Sequence, residues 1–150
     1  MKKIFFTLLS VLVCLSASAQ QTKWHDASQL TIIGKALPTS KPFSRIDTAV
    51  YKFNSRTIDV YANYSTGVAV LFETDSHTLK AKWTTGGGNA GDNMTGILQK
   101  GLDLYILKDG KWIFAGVPRL KMRKAPFDKH QGTIVADMPE GTKQCLLYLP

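Results

Sequence analysis

His25, His77, His130, Cys14 and Cys145 are the side chains of this 150-residue chain best suited to acid–base, nucleophilic or metal chemistry near neutral pH. Their spacing serves none of these. No two histidines fall close enough in sequence to place paired metal ligands on one element, so no metal site is expected. Neither Gly-x-Ser-x-Gly nor Gly-Asp-Ser occurs, so nothing exposes a nucleophilic serine beside a base. His77, between two strand-like runs, reads as a solvated turn residue. His25, beside Trp24, fits a ligand contact or a polar surface equally well. Cys145 lies in the apolar run Cys145-Leu146-Leu147-Tyr148-Leu149 and reads as a buried strand thiol. The chain is thus expected to lack a catalytic Ser, His or Asp of its own.

Two further clusters invite a binding role. Gly86-Gly87-Gly88-Asn89-Ala90-Gly91 satisfies the Gly-x-Gly-x-x-Gly spacing of a dinucleotide cradle. No apolar helix or second parallel strand follows it, so it reads as a loop and no cofactor is expected. Arg119, Lys121, Arg123, Lys124, Lys129 and His130 form the densest basic stretch of a chain with 19 Lys+Arg against 11 Asp+Glu. Its residues up to Lys124 lie between Pro118 and Pro126, and it reads as a solvated loop, with weak attraction to acidic glycans or lipid phosphates as the functional alternative. Trp83, Tyr105 and Trp112 are candidates for stacking on sugar rings. Trp83 is in phase with Leu79 and Ala81 and reads as core, whereas the phase of Trp112 is undecided.

The elements that carry these residues begin after an export signal. Met1-Lys2-Lys3 is a basic start, Ile4 to Leu15 an apolar run, and Ala17-Ser18-Ala19 a small-x-small cleavage pattern. Residues 1–19 are therefore expected to be removed. The apolar run falls short of the roughly 20 residues a membrane span needs, so no stable membrane anchor is expected. The expected destination is the bacterial periplasm, the cell surface or the medium, so no nucleic-acid partner is expected and Cys145 is left without a thiol to pair with.

Residues 20–150 read as one all-β domain. Gly67 to Thr74 has the length and β-branched content of a buried strand, and Leu79 to Trp83 alternates with Lys80 and Lys82 outward. Leu102 to Leu107 and Lys111 to Ala115 flank Lys108-Asp109-Gly110, a tight hairpin turn. Thr57 to Tyr61, Thr133 to Ala136 and Gln144 to Leu149 complete the expected strands, and Asp92 to Lys100 has room for a turn or two of helix, weakened by Gly96. Short strands about ten residues apart, without βαβ alternation, predict an antiparallel β-sandwich.

At Gly101-Leu102-Asp103-Leu104-Tyr105 the chain resembles the domain named for a Gly-x-Asp-Leu-Tyr motif, found at the N-terminus of SGNH-type esterases. Ser65-Thr66-Gly67, Phe72-Glu73-Thr74-Asp75-Ser76, Asn93-Met94-Thr95 and Asp109-Gly110-Lys111-Trp112 resemble further landmarks of that family in the same order. The resemblance covers roughly Trp24 to Pro150. It implies a jelly-roll-like sandwich ahead of a catalytic domain that cleaves esters, such as acyl groups on carbohydrates, with the catalytic residues in that following domain.

The motif residues Gly101, Asp103, Leu104 and Tyr105 are accordingly the first site candidates. Period-2 geometry puts Asp103 and Tyr105 on the face opposite Leu102 and Leu104, where they either pin the sandwich through buried hydrogen bonds or face the catalytic cleft. Asn93, Met94 and Trp112 are the candidate contacts to the hydrolase domain or its substrate. Because the chain ends on an apolar strand, the sandwich is expected to be incomplete at its C-terminal end, with an open edge there. Two functions compete. One is a non-catalytic accessory module of an exported SGNH-type carbohydrate esterase, working with a catalytic domain in the same polypeptide or an adjacent chain. The other is a self-sufficient glycan-binding protein.

Overall fold

The computed structural model describes residues 22–86, 92–120 and 128–150. The expected export signal, Gly87–Gly91 of the glycine-rich run, and Lys121, Arg123 and Lys124 lie outside the described residues. Among the described residues seven strands form two antiparallel sheets: β1 Thr31–Ile33, β2 Ala69–Thr74, β3 Leu79–Thr84, β4 Asp103–Lys108, β5 Lys111–Gly116, β6 Lys129–Val135 and β7 Lys143–Tyr148. The large sheet runs β1-β2-β7-β4-β5, and β3-β6 forms the smaller one. The β-sandwich expected from the spacing of turn residues is the observed architecture.

The core lies between the sheets. Leu104 and Cys145, both fully buried, meet Ile134 of the small sheet, and Phe72, Leu79, Ala81, Ile106 and Leu147 close around them. Every second residue of β3 is half-buried, which places Lys80, Lys82 and Thr84 outward as the alternation required. Asp109 and Gly110 turn the β4–β5 hairpin with φ of 51° and 72°, the paired positive values of a type I′ turn.

Three expectations are corrected. Residues 57–61 are not a strand; Arg56–Ala62 is a helix, α1, capped by Ser55 and Asn63. The alternation of Ile58 and Val60 misleads because both are exposed, while Ser55, Asp59 and Ala62 recur at helical spacing on the inward side. Lys129 and His130 are not in a solvated loop but open β6, with His130 buried. The terminal apolar strand is not an open edge: β7 is bonded to β2 on one side and β4 on the other, and burial between two neighbours accounts for its composition.

The chain between β1 and β2 makes an excursion that includes α1. Asp47 anchors it, accepting from the Ser40 hydroxyl at 2.7 Å and from the Ala49 amide at 3.0 Å. The Ser40 side-chain bond, followed by the amide bond, holds the Asp47 carboxyl below its ordinary pKa. Because Leu104 has no exposed surface and joins both sheets, Leu104→Ala is expected to lower stability by about 2–5 kcal/mol; urea denaturation of the two proteins measures this.

Candidate functional site

The second helix, α2 (Gly96–Lys100), positions the motif. Thr95 caps it, its hydroxyl accepting from the Leu98 amide at 3.2 Å, and Gly101 ends it by donating its N–H to the Ile97 carbonyl at 2.8 Å. A Cβ on Gly101 would sit 2.3 Å from that same oxygen. The motif glycine is therefore a close-approach residue, which lets the chain leave α2 and enter β4 without a gap. Leu102 and Leu104 are buried on one side of the motif, as period 2 requires.

Asp103 and Tyr105 share the opposite face, but not as buried pins. The Asp103 side chain is exposed and makes no hydrogen bond to a described residue, while its backbone lies in the ladder opposite Tyr148. Tyr105 is half-buried, with the Phe114 and Tyr148 rings edge-on to it at 5.7 and 5.8 Å between centroids. Trp112 pairs with Leu107, and Phe114 with Tyr105, so both join Tyr105 on the outer face of the large sheet. The register is unbroken from the Asp109-Gly110 turn to Tyr105, so counting across that two-residue turn pairs Trp112 with Leu107 and settles its side. Asn93 and Met94 lie in the turn before α2, both exposed. The structure thus gathers Asp103, Tyr105 and Trp112 onto one surface and places Asn93 and Met94 in an exposed turn.

A second constellation lies at the end of β3 and β6. The Trp83 indole N–H donates to the Lys100 carbonyl at 2.8 Å, tying the small sheet to the end of α2. His130 packs against Trp83 with ring centroids 5.1 Å apart, and its Nε2 is hydrogen-bonded to Thr85 Oγ1 at 2.9 Å. Sequence reasoning missed this pair, although the alternation of His130, Gly132 and Ile134 was available to place His130 inward. Burial, with a further contribution from the nearby Lys100 charge, lowers the His130 pKa; Asp128 opposes them. The hydroxyl–imidazole contact has nucleophile–base spacing, but no carboxylate of a described residue hydrogen-bonds the ring to orient it as a base.

The remaining candidates are structural. His77 Nδ1 donates to the Met138 carbonyl at 2.8 Å, and the Met138 amide returns a bond to the His77 carbonyl at 2.9 Å, locking two turns together. Burial pushes the Cys145 thiol up to about 11, which keeps it protonated and inert at neutral pH. Lys143 is buried with Nζ donating to the carbonyls of Pro139 at 2.6 Å and Asp75 at 3.3 Å, so the Phe72–Ser76 landmark ends in a held turn. Ser65-Thr66-Gly67 is likewise a turn, closed by the Val68 amide on the Ser65 carbonyl at 2.8 Å with Gly67 at φ 85°. A concavity of about 480 Å³ near α1 is lined by Leu37, Ile46, Val50, Tyr51 and Phe53, without His, Cys, Asp or Glu. Among the described residues no three His, Cys, Asp or Glu side chains cluster closely enough to hold a metal.

This antiparallel sandwich, with its motif glycine at a helix–strand junction, defines a class of small β-domain whose landmarks are mostly turns and junctions. Residues 22–150 match the family model described as GxDLY, the N-terminus of SGNH hydrolase-type esterases, and the chain belongs to that family. Among solved structures, a protein from Bacteroides ovatus described as a GDSL-like lipase is similar, with 40% sequence identity and a TM-score of 0.74 over 83% of this chain. The match covers 35% of that protein, so the chain spans about a third of its length. No curated protein matches the chain.

Two outcomes follow. Gly101→Ala must displace α2 or β4, and a loss of about 1–3 kcal/mol is expected in urea denaturation. For His130, a folded-state pKa below the ordinary value of about 6.5 means that its stabilising contribution is complete above that pH. The contribution is lost as pH falls toward the folded value, because the unfolded chain then binds the proton more readily. The melting temperature of the wild type is expected to fall more between pH 7.5 and 5.5 than that of His130→Gln.

Proposed function

We propose that the chain is the non-catalytic N-terminal module of an exported SGNH-type esterase that acts on acylated carbohydrate. The domain supports the catalytic domain, in the same polypeptide or as an adjacent chain, and helps to present its substrate. The observation that carries this reading is the match of residues 22–150 to the N-terminus of such esterases, joined to the position of the motif. Asp103 and Tyr105 face outward from the sandwich, where a neighbouring domain can reach them. Asn93, Met94 and Trp112, all exposed, are the accompanying candidate contacts. The basic net charge then belongs to an exported protein and needs no nucleic-acid partner, and the signal-like N-terminus supports release without a stable membrane anchor.

The glycan-binding alternative draws on one observation: Trp112, Phe114 and Tyr148 are exposed aromatic rings on one sheet face. Stacking on such rings needs polar partners for the sugar hydroxyls as well, and Asp103 is the group on that part of the face best able to supply one. The purified chain is expected to show no turnover of an aryl acetate or of acetylated xylan. Hydrolysis that a serine-directed inhibitor abolishes would contradict the non-catalytic assignment.

A further inference from the structure

The two sheets differ on their outward sides. On the small sheet that side carries Lys80, Lys82, Lys129, Gln131 and Thr133, the polar set expected of a solvated antiparallel face. On the large sheet the strand register places Ile33, Leu71, Tyr148, Tyr105, Phe114 and Trp112 on one outer face crossing all five strands, together with Ala69 and Leu146, which are already buried there. Phe114 is 55% exposed, and Trp112, Tyr148 and Ile33 are each 40% exposed. Two charged residues share this face, Asp103 and Glu73, and Glu73 is already engaged by Gln144 Nε2 at 2.9 Å. Among the described residues no lysine or arginine of the five strands falls on it: Lys108, Lys111 and Lys143 lie on the opposite side. The exposure of Phe114, Trp112, Tyr148 and Ile33 shows that no described segment covers that part of the face.

Strands whose two faces are both buried lose the alternation of polar and apolar residues and read as unbroken apolar runs. Val68 to Phe72, Leu104 to Leu107, Trp112 to Ala115 and Cys145 to Leu149 are such runs, and all but the first residue and the last lie in the large sheet. The sandwich core accounts for one face of each. The composition of the other calls for a second cover.

We infer that the outer face of the large sheet, centred on Tyr105, Phe114, Trp112 and Tyr148, is the surface on which the SGNH hydrolase domain docks. This rests on the module reading given above. The occupant follows from continuity. In an esterase that has this domain as its N-terminus, the hydrolase part continues from β7, and Tyr148 of β7 is itself on the face. The Leu149 amide donates to the Val68 carbonyl at 3.0 Å, and the Ser65 hydroxyl bonds the Pro150 carbonyl. These bonds fix the chain at the same end of the sheet as Asp103, which pairs with Tyr148. Asp103 then sits at the margin of the contact, where its charge stays solvated. Large aromatic anchors in an apolar patch with polar groups at its rim have the composition of a domain interface.

The test is calorimetric binding of this chain to the SGNH-type hydrolase domain encoded with it, accompanied by hydrogen exchange. Wild-type binding with new protection in β4 and β5 is expected. Phe114→Ser together with Trp112→Ser should weaken binding about thirtyfold or more, while Lys80→Ser with Lys82→Ser on the other sheet leaves it unchanged. Far-UV circular dichroism checks that the variants fold, and the exchange pattern of the wild-type complex decides the matter if they do not. Binding with protection elsewhere overturns the face and leaves the module reading standing; no binding by the wild type overturns both. Xylo-oligosaccharide binding lost in Trp112→Ser would make the face a sugar platform instead, and a homodimer dissolved by Phe114→Ser would make it a self-association surface. Either result overturns the inference.

Discussion

The pairing of β7 between β2 and β4 is the constraint on which the rest of the structure depends. Without it, β1-β2 and β4-β5 would be two separate ribbons, each too small to be stable alone. β7 pairs with β2 over six positions and with β4 over four. It contributes Cys145 and Leu147 to the core and Leu146 and Tyr148 to the outer face. The pairing also fixes the motif: Asp103 opposes Tyr148 and Tyr105 opposes Leu146, so the side of the sheet that Asp103 and Tyr105 occupy is set by the last strand.

Two kinds of residue build the family landmarks. Gly101, Gly67 and the Asp109-Gly110 pair satisfy backbone demands, respectively a close approach, a turn and a hairpin. Asp103, Tyr105 and Trp112 meet no such demand and lie outward. Trp83 joins the small sheet to the helix that precedes the motif through its bond to the Lys100 carbonyl, with His130 packed behind it. The domain thus holds its motif from both sheets while leaving the motif's outward side chains free to meet a neighbour.

Much of this was legible in the sequence because it rests on local rules. The Asp109-Gly110 turn, the alternation of β3 and the opposition of Asp103 and Leu104 follow from turn chemistry and period 2. What escaped depended on distant partners. Ile58 and Val60 alternate like a strand, yet α1 forms because Ser55, Asp59 and Ala62 turn inward together and tertiary context outweighs the β-branched preference. His130 looked like part of a charged loop because its neighbours are basic, although its own position alternates with Ile134. The apolar end of the chain looked like an open edge because no local feature reveals that β7 lies between β2 and β4. The side of Trp112, by contrast, follows from the two-residue turn, which pairs it with Leu107 and so puts it in phase with Tyr105.

The central claim is that this domain serves a hydrolase through the outward face that carries its motif. The most direct measurement is a crystal structure of the domain joined to its SGNH hydrolase, read for the burial of Tyr105, Trp112, Phe114 and Tyr148. The account predicts that these side chains lose their exposure to the hydrolase domain, with Asp103 at the rim of the contact. A hydrolase packed against Lys80 and Lys82 on the small sheet, with the four rings still in solvent, would contradict it.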